Sequence, residues 1–342
     1  MTAPLLVRAC RREAVERTPV WFMRQAGRCL AAYRELRERH GILEMARTPE
    51  LCAKITAMPV EQLGVDAAVL YADIMLPLDG MGVPFRIEPE IGPIIDQPIR
   101  SAHAVAALRV VPAEEATPYL FESIRALRRS LPREVALVGF AGGPFTLASY
   151  LIEGSPTREH ARTKAILVGD PDLWDQLMRK LAEVLARYLA AQVDAGVDVI
   201  QLFDSWAGSL SPEDYERAVL PHTLRIFEAL SRTGVPRIHF FTGNPRLLPL
   251  AARGCEVVSV DWRTSLAEAW EQLGSDRAIQ GNLDPAICLA PFEVVAERSL
   301  GIIAQARPRR GHVFNLGHGV LPGTEADTLR RLVGLVHEAT AA

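Results

Sequence analysis

Lysine and paired cysteines are what this sequence most clearly lacks. Of its 38 basic residues only Lys54, Lys164 and Lys180 are lysines, and none of them ends an apolar run. Schiff-base chemistry of the barrel-aldolase kind is therefore disfavoured. The five cysteines are scattered, and no zinc or redox spacing or H-E-x-x-H motif occurs. We expect a chain with reduced thiols, no metal and no disulfide framework.

Long hydrophobic runs and a strong charge imbalance are missing too. No apolar run reaches the roughly 18 residues of a membrane span, and the N-terminus has no signal-peptide pattern. The formal net charge is −3, so the overall balance gives no reason to expect binding to nucleic acid or to an anionic membrane. We expect a soluble, cytoplasmic protein in which any anion binding depends on local placement.

Short apolar runs recur along the chain, each followed by a polar or glycine-rich turn and then by a helical pattern. Continuous apolar strands of this kind are typical of a parallel sheet that is buried on both faces. The runs lie at residues 19–23, 67–73, 135–142, 197–204, 237–241, 256–262, 278–282 and 312–317.

Amphipathic helices are predicted between these runs. Residues 173–196, 266–274 and 325–340 place apolar side chains three and four positions apart, and the first of them stops at a glycine. Eight strands alternating with helices predict an α/β protein, a single-domain (β/α)₈ TIM barrel over residues 1–342. A doubly wound open sheet is the competing fold, but the turn after the first run lacks its glycine-rich pattern.

Arg24 and Arg28 directly follow the first apolar run, with Gln-Ala-Gly between them. A guanidinium at the end of a buried strand needs an anionic partner, and arginine offers bidentate geometry to a carboxylate or a phosphate. Position alone leaves a ligand role and a solvated surface role equally open. We expect Arg34, Arg37 and Arg39, in the next helix, to form a solvated face.

Polar residues also end other runs. Active sites of such barrels lie at the carboxyl ends of the strands, so these residues are candidates for the site. Asp73 can cap the following turn or place a fixed negative charge beside a group that becomes positive. A Gly-Gly-Pro turn precedes the helix that carries Tyr150; its glycines can serve a sharp turn or anion binding. His318, between two glycines after the last run, favours a site role, whereas His222, His239 and His337 are expected to be structural.

Several motifs together resemble the uroporphyrinogen decarboxylase family. The M-R-Q-A-G-R run is matched by residues 23–28 and F-x-G-x-P-[FW]-T-L-x-x-Y by residues 140–150. The Y-x-D-I, F-D-S-x-A-G, Q-G-N-L-D-P and G-H-G-[IV]-L-P segments also occur, and the whole set spans residues 19 to 323 in family order. The chain departs from the family pattern at Cys29, Ala31, Ala72 and Glu325, none of which replaces an expected charged contact.

The resemblance implies a reaction and a set of site residues. The expected substrate is uroporphyrinogen, a tetrapyrrole with four acetate and four propionate groups, whose acetates lose CO₂ without a cofactor. Asp73 is then expected to stabilise the protonated pyrrole, and Tyr150 to act near the reacting acetate. Arg24 is the hypothesised proton donor. Homodimers are also implied. The expected substrate contacts are Arg24, Gln25, Ala26, Gly27, Arg28, Asp73, Tyr150, Ser205 and His318.

Two alternatives stay open. The same barrel scaffold is used by corrinoid- or thiol-dependent methyltransferases, which resemble zinc enzymes. A tetrapyrrole-binding protein without turnover is the non-enzyme alternative, and sequence alone does not separate it from a decarboxylase.

Overall fold

A curled parallel sheet forms the centre of the molecule. The computed structural model describes residues 2–27 and 29–342. Seven strands pair in parallel in the order β1-β4-β5-β6-β7-β8-β9, and β2 and β3 form a separate antiparallel hairpin. The strands are β1 (Ala67–Val69), β2 (Arg86–Glu88), β3 (Gly92–Ile94), β4 (Ala136–Gly142), β5 (Val199–Phe203), β6 (Arg237–Phe240), β7 (Val257–Ser259), β8 (Ala278–Leu283) and β9 (His312–Leu316).

The segment around Val20 joins the two edges of this sheet. Val20 bridges Phe314 of β9 in parallel, and the Phe314 amide donates to the Pro19 carbonyl oxygen at 2.9 Å. On its other side the Val20 carbonyl oxygen accepts a hydrogen bond from the Asp66 amide, just before β1, at 2.8 Å. The sheet therefore closes into a barrel, and the predicted TIM-barrel architecture is confirmed.

The first apolar run contributes less strand than its sequence predicts. Only Val20 makes a bridge, and a turn begins at Met23. The Phe22 amide donates to Gln25 Oε1 at 2.9 Å, and the Met23 amide donates to Asn315 Oδ1 at 3.1 Å. Because side chains take up these backbone donors, the segment satisfies its polar groups without extending the ladder.

Helices surround the barrel, and α11, α15 and α17 lie in the segments predicted to be helical. The helices are α1 (Leu5–Cys10), α2 (Ala31–Arg39), α3 (Ile42–Arg47), α4 (Pro49–Leu63), α5 (Pro77–Gly80), α6 (Ala102–Ala107), α7 (Ala113–Ala116), α8 (Pro118–Ser130), α9 (Pro144–Glu153), α10 (Ala161–Gly169), α11 (Pro171–Ala195), α12 (Pro212–Ala218), α13 (Leu220–Leu230), α14 (Leu248–Ala251), α15 (Leu266–Leu273), α16 (Phe292–Ala306) and α17 (Ala326–Thr340).

The barrel interior is a packed core rather than a channel. Trp21, Met23 and Phe240 belong to one buried cluster with small and branched residues of the strands and with α1. Trp21 Nε1 donates to Gln280 Oε1 at 3.0 Å, so the buried indole N–H is satisfied. This filling leaves no channel through the described part of the barrel interior.

The β2–β3 hairpin was not predicted from the sequence. Beyond it, the Ile95 amide donates to the Gly154 carbonyl oxygen and the Ile99 amide to the Leu151 carbonyl oxygen, both at 2.7 Å. These bonds attach the hairpin segment to the end of α9. In the described part of the chain, no helix combines the length and apolar character needed to cross a bilayer.

Candidate functional site

A cavity of about 1230 Å³ opens at the carboxyl ends of the barrel strands. Every predicted site residue that the structure describes lines it, whereas Arg28 lies outside the described residues. The predicted residues that meet there are Arg24, Gln25, Ala26, Gly27, Asp73, Tyr150, Ser205 and His318.

Aromatic rings form part of the cavity wall nearest the barrel core. Phe140, Phe203 and Phe240 come from β4, β5 and β6, and the ring centroids of Phe203 lie 5.3 Å from those of Phe140 and 5.5 Å from those of Phe240. The His318 ring lies 5.8 Å from the Phe240 ring. Such a surface suits a flat, largely apolar ligand face.

Three arginines of the described residues line the cavity without a carboxylate partner. Arg24, Arg34 and Arg37 all contribute to its lining, and none forms an ion pair within 4.0 Å with an acidic side chain of residues 2–27 or 29–342. Arg34 Nη1 donates to the Cys29 carbonyl oxygen at 3.0 Å, and Arg37 Nη1 donates to the His40 carbonyl oxygen at 2.5 Å. The remaining guanidinium donors are available to an anion.

The expected solvated face on α2 holds for Arg34, which is exposed, while Arg34 and the partly buried Arg37 also line the cavity. These residues are three positions apart and lie on one side of α2, which borders the cavity mouth. Arg39 does not line the cavity and is exposed, as expected. The spacing was visible in the sequence, but the position of α2 over the mouth was not.

Arg24 sits in a tight turn that its neighbours hold in place. Its φ is +62°, in the left-handed region. Gln25 is buried, and its side chain accepts from the Phe22 amide and donates to the Ala67 carbonyl oxygen, both at 2.9 Å. The Gln25 side chain thus ties the turn to β1, and the Gln25 backbone N–H donates within the turn to the Phe22 carbonyl oxygen.

Asp73 both caps a turn and lines the cavity. Its Oδ1 accepts a hydrogen bond from the Met75 amide at 2.9 Å. Burial raises the pKa of Asp73, while the Met75 N–H and the positive charge of Arg24 act in the opposite direction. The two roles left open by the sequence are therefore compatible, because the cap holds the carboxylate at the cavity wall.

Tyr150 lies on α9 and faces the same electrostatic environment. Burial raises the pKa of Tyr150, the negative charge of Asp73 raises it further, and Arg24 lowers it. The hydroxyl is therefore protonated at neutral pH and can donate a hydrogen bond. The ring stacks against Trp206, with 4.3 Å between the centroids.

The Gly-Gly-Pro turn is explained by packing. A Cβ at Gly143 would lie 2.3 Å from Asp204 Cβ, so only glycine allows this approach. Asp204 Oδ1 accepts hydrogen bonds from the amide and the hydroxyl of Thr146 in the first turn of α9, both at 2.8 Å. The anion at this helix start is thus a side chain of the protein. No local signal marks this contact, which joins residues 58 positions apart.

The remaining histidines considered above lie away from the cavity lining. His239 Nδ1 is 2.9 Å from the Ala251 carbonyl oxygen, and His337 Nε2 is 2.7 Å from Asp66 Oδ2. His222 is buried. Within the described ranges, no group of three or more His, Cys, Asp or Glu side chains is placed to hold a metal ion.

The positions that depart from the family pattern also border the cavity. Cys29, Ala31, Ala72 and Glu325 all line it. Burial raises the pKa of the Cys29 thiol to about 11, so this thiol is protonated at neutral pH. These departures therefore change the cavity wall without adding a thiolate.

Comparison with solved structures supports the fold. A methyltransferase from Methanosarcina mazei superposes with a TM-score of 0.80 at 22% identity, covering 98% of this chain and 99% of that one. A putative vitamin-B12 independent methionine synthase from Listeria monocytogenes gives a TM-score of 0.58 at 12% identity, covering 99% and 98%. At these identities the likeness concerns the fold alone.

Comparison of sequences is more specific. The family model described as "Uroporphyrinogen decarboxylase (URO-D)" matches residues 1–339. Proteins named uroporphyrinogen decarboxylase are 48% identical in Carboxydothermus hydrogenoformans, covering 98% of this chain and 96% of that protein, and 51% identical in Salinispora tropica, covering 98% and 90%. A third, from Thermus thermophilus, is 49% identical and covers 98% of each. The chain therefore belongs to the uroporphyrinogen decarboxylase family.

Proposed function

We propose that this protein converts uroporphyrinogen into coproporphyrinogen in porphyrin and haem biosynthesis, by removing CO₂ from the four acetate side chains. Relatives that match 98% of the chain are named uroporphyrinogen decarboxylase. The observation that supports the proposal most strongly is the cavity itself. Arg24, Arg34 and Arg37 line it without acidic partners among the described residues, and Asp73 lies in the same wall.

The charge distribution fits a polyanion. The substrate carries eight carboxylates, and a guanidinium binds a carboxylate through two parallel hydrogen bonds. Arg24, Arg34 and Arg37 supply such groups at the lining, and the Ala26–Gly27 backbone lies between Arg24 and the predicted contact Arg28. The phenylalanine rings supply an apolar surface for the macrocycle face.

The chemistry needs a place for an electron pair. Protonation of a pyrrole ring at carbon gives a cation, the bond from the side-chain methylene to the carboxylate then breaks, and CO₂ leaves. The electron pair of the broken bond neutralises the ring cation as an exocyclic methylene forms. A second proton then converts that methylene to methyl as the ring proton leaves. No external electron sink is required, which is consistent with the expected absence of a cofactor.

Asp73 is proposed to stabilise the cationic ring and to accept hydrogen bonds from the pyrrole N–H groups. One preorganised group of this kind typically contributes about 3–4 kcal/mol to a transition state. The Met75 amide fixes its Oδ1, so little reorganisation is needed. The cavity also holds Asp73 partly buried, where its charge acts more strongly than in water.

Tyr150 and Ser205 are proposed to donate hydrogen bonds near the reacting acetate, and His318 to bind a propionate. Arg24 is proposed as the proton donor because its positive charge acts on both Asp73 and Tyr150, whose pKa values it lowers. An arginine is a poor acid at its ordinary pKa. Arg24→Lys tests the assignment: wild-type turnover with unchanged binding would exclude a special donor role.

A homodimer in the cytoplasm, built from single-domain protomers, completes the proposal. Its support is the family resemblance. Sedimentation equilibrium of the purified chain tests the assembly, since a monomer at the assay concentration would contradict it.

Anaerobic incubation with uroporphyrinogen tests the activity. Products separated by carboxylate number should run from eight carboxylates down to four. Binding without loss of carboxylates would indicate a tetrapyrrole-binding protein, and methyl transfer from a corrinoid or to a thiol would indicate the methyltransferase alternative.

A further inference from the structure

A buried carboxylate lies behind the cavity wall, at the end of β5. Asp204 is fully buried and does not line the cavity. Its Oδ1 accepts hydrogen bonds from the Thr146 amide and the Thr146 hydroxyl, both at 2.8 Å. Asp204 thus holds the first turn of α9, the helix that carries Tyr150.

The Thr146 hydroxyl also contacts the segment that contains Ser205 and Trp206. It accepts a hydrogen bond from the Trp206 amide at 3.2 Å while it donates to Asp204. The same group therefore ties α9 to the segment that contains Ser205. The Trp206 ring also stacks against Tyr150, with a centroid distance of 4.3 Å.

Close backbone packing fixes the far side of this segment. The Thr242 hydroxyl donates to the Ser205 carbonyl oxygen at 2.8 Å. A Cβ at Gly208 would lie 1.7 Å from the Thr242 carbonyl oxygen, so this loop has no room to shift. Ser205 is therefore held from both sides, by Thr242 and through the link between Thr146 and Trp206.

Asp204 is an expensive choice for a purely structural cap. Its second oxygen, Oδ2, is buried with no hydrogen-bond partner among the described residues. Burying a carboxylate with unused acceptors costs stability. An exposed cap would hold a helix start without that cost, as Asp170 does where it accepts from the Leu173 amide at the start of α11.

We infer that Asp204 and Thr146 are positioning residues that set the placement of Tyr150 relative to Ser205 at the cavity wall. Neither lines the cavity, so they act through α9 and through the Trp206 segment. The kinetic part of the inference rests on the proposed function, whereas the structural part does not.

Thr146→Val and Thr146→Ser form the central experiment. Valine keeps the shape but removes the hydroxyl, whereas serine keeps both hydrogen bonds. We expect Thr146→Val to lower kcat about tenfold or more, because a displacement of about 1 Å in a site can cost about 100-fold. Its KM should change less than about twofold, since the arginine contacts remain. Partially decarboxylated products should accumulate, and Thr146→Ser should retain most of the wild-type kcat.

A second readout does not depend on turnover. In protein labelled with 5-fluorotryptophan, the Trp206 resonance is assigned by its disappearance in Trp206→Phe. It should shift or broaden in Thr146→Val and stay near its wild-type position in Thr146→Ser. An unchanged resonance in Thr146→Val would overturn the inference, whether or not the wild-type protein is active on uroporphyrinogen. Inactivity of the wild-type protein on uroporphyrinogen would contradict the proposed function separately.

Thr163 provides a matched control. It is buried, and its amide and hydroxyl both donate to one oxygen of Glu153, at 2.9 and 3.0 Å, but it does not line the cavity. Thr163→Val should lower thermal stability without the kcat change. An equal kcat loss in Thr163→Val, or in Thr146→Ser, would show general loosening and overturn the inference. A second pair of variants, Asp204→Ala and Asp204→Asn, repeats the comparison. If Asp204→Ala fails to fold, the Thr146 variants alone decide the outcome.

Discussion

Gly319 and Arg24 pack so closely that a single methyl group should displace the arginine. A Cβ at Gly319 would lie 2.5 Å from Arg24 Cδ, 2.8 Å from Cγ and 3.1 Å from Nε. Carbon atoms in contact normally lie about 3.5–4.0 Å apart. The Arg24 side chain must therefore move by about 1 Å or adopt another rotamer in Gly319→Ala.

The expected cost falls on function rather than on stability. The Arg24 side chain is exposed and can move, so the free energy of unfolding should change by no more than about 0.5 kcal/mol. Loss of a charge-assisted hydrogen bond is worth about 1.5–3 kcal/mol. This corresponds to a decrease in kcat/KM of about 10- to 150-fold.

Anaerobic initial rates with uroporphyrinogen, measured beside thermal unfolding, test this prediction. Gly301→Ala is the matched control, because a Cβ at that position of α16 meets nothing within 4 Å. It should keep wild-type kinetics and gain about 0.5–1 kcal/mol of stability. Wild-type kcat/KM in Gly319→Ala would refute the reasoning that Arg24 must stay in place for function.

Three further predictions concern charge, pH and metal. Arg34→Gln and Arg37→Gln should each raise KM about 2- to 10-fold, and the increase should be smaller at high salt. Arg39→Gln on the same helix should leave KM unchanged. Equal effects of all three substitutions would contradict specific carboxylate contacts. Burial raises the pKa of Asp204 to about 6 from 3.8, so the folded state binds the proton more tightly and loses about 3 kcal/mol of stability as pH rises from about 4 to about 6. Asp204→Asn should remove that loss in denaturant unfolding, and an unchanged pH slope would contradict it. EDTA should leave activity intact; a loss that zinc restores would overturn the metal-free mechanism.

The fold was predictable because its signal is repeated. The first of the eight apolar runs supplies the closing bridge at Val20, and each of the others contains a barrel strand, because a strand buried on both faces must be apolar along its length. The hairpin of β2 and β3 was not predictable, since its three-residue strands carry no comparable pattern. Its position depends on contacts with α9 that only the folded chain reveals.

The candidate site was predictable where a residue ends or closely follows an apolar run. Asp73 and His318 were found in this way, and both line the cavity, although their roles stay predictions. The contribution of Arg34 and Arg37 to the cavity lining was not predicted, because the sequence does not show what a helix face borders. The link between Asp204 and Thr146 depends on a tertiary contact that local sequence does not encode.

Asp73→Asn tests the central claim most directly. Turnover of uroporphyrinogen and binding of the substrate should be measured on the same preparation under anaerobic conditions. If Asp73 stabilises the ring cation, kcat should fall about 100- to 1,000-fold while the dissociation constant changes less than about threefold. Equal losses in turnover and affinity, or near-wild-type turnover, would contradict that role for the carboxylate.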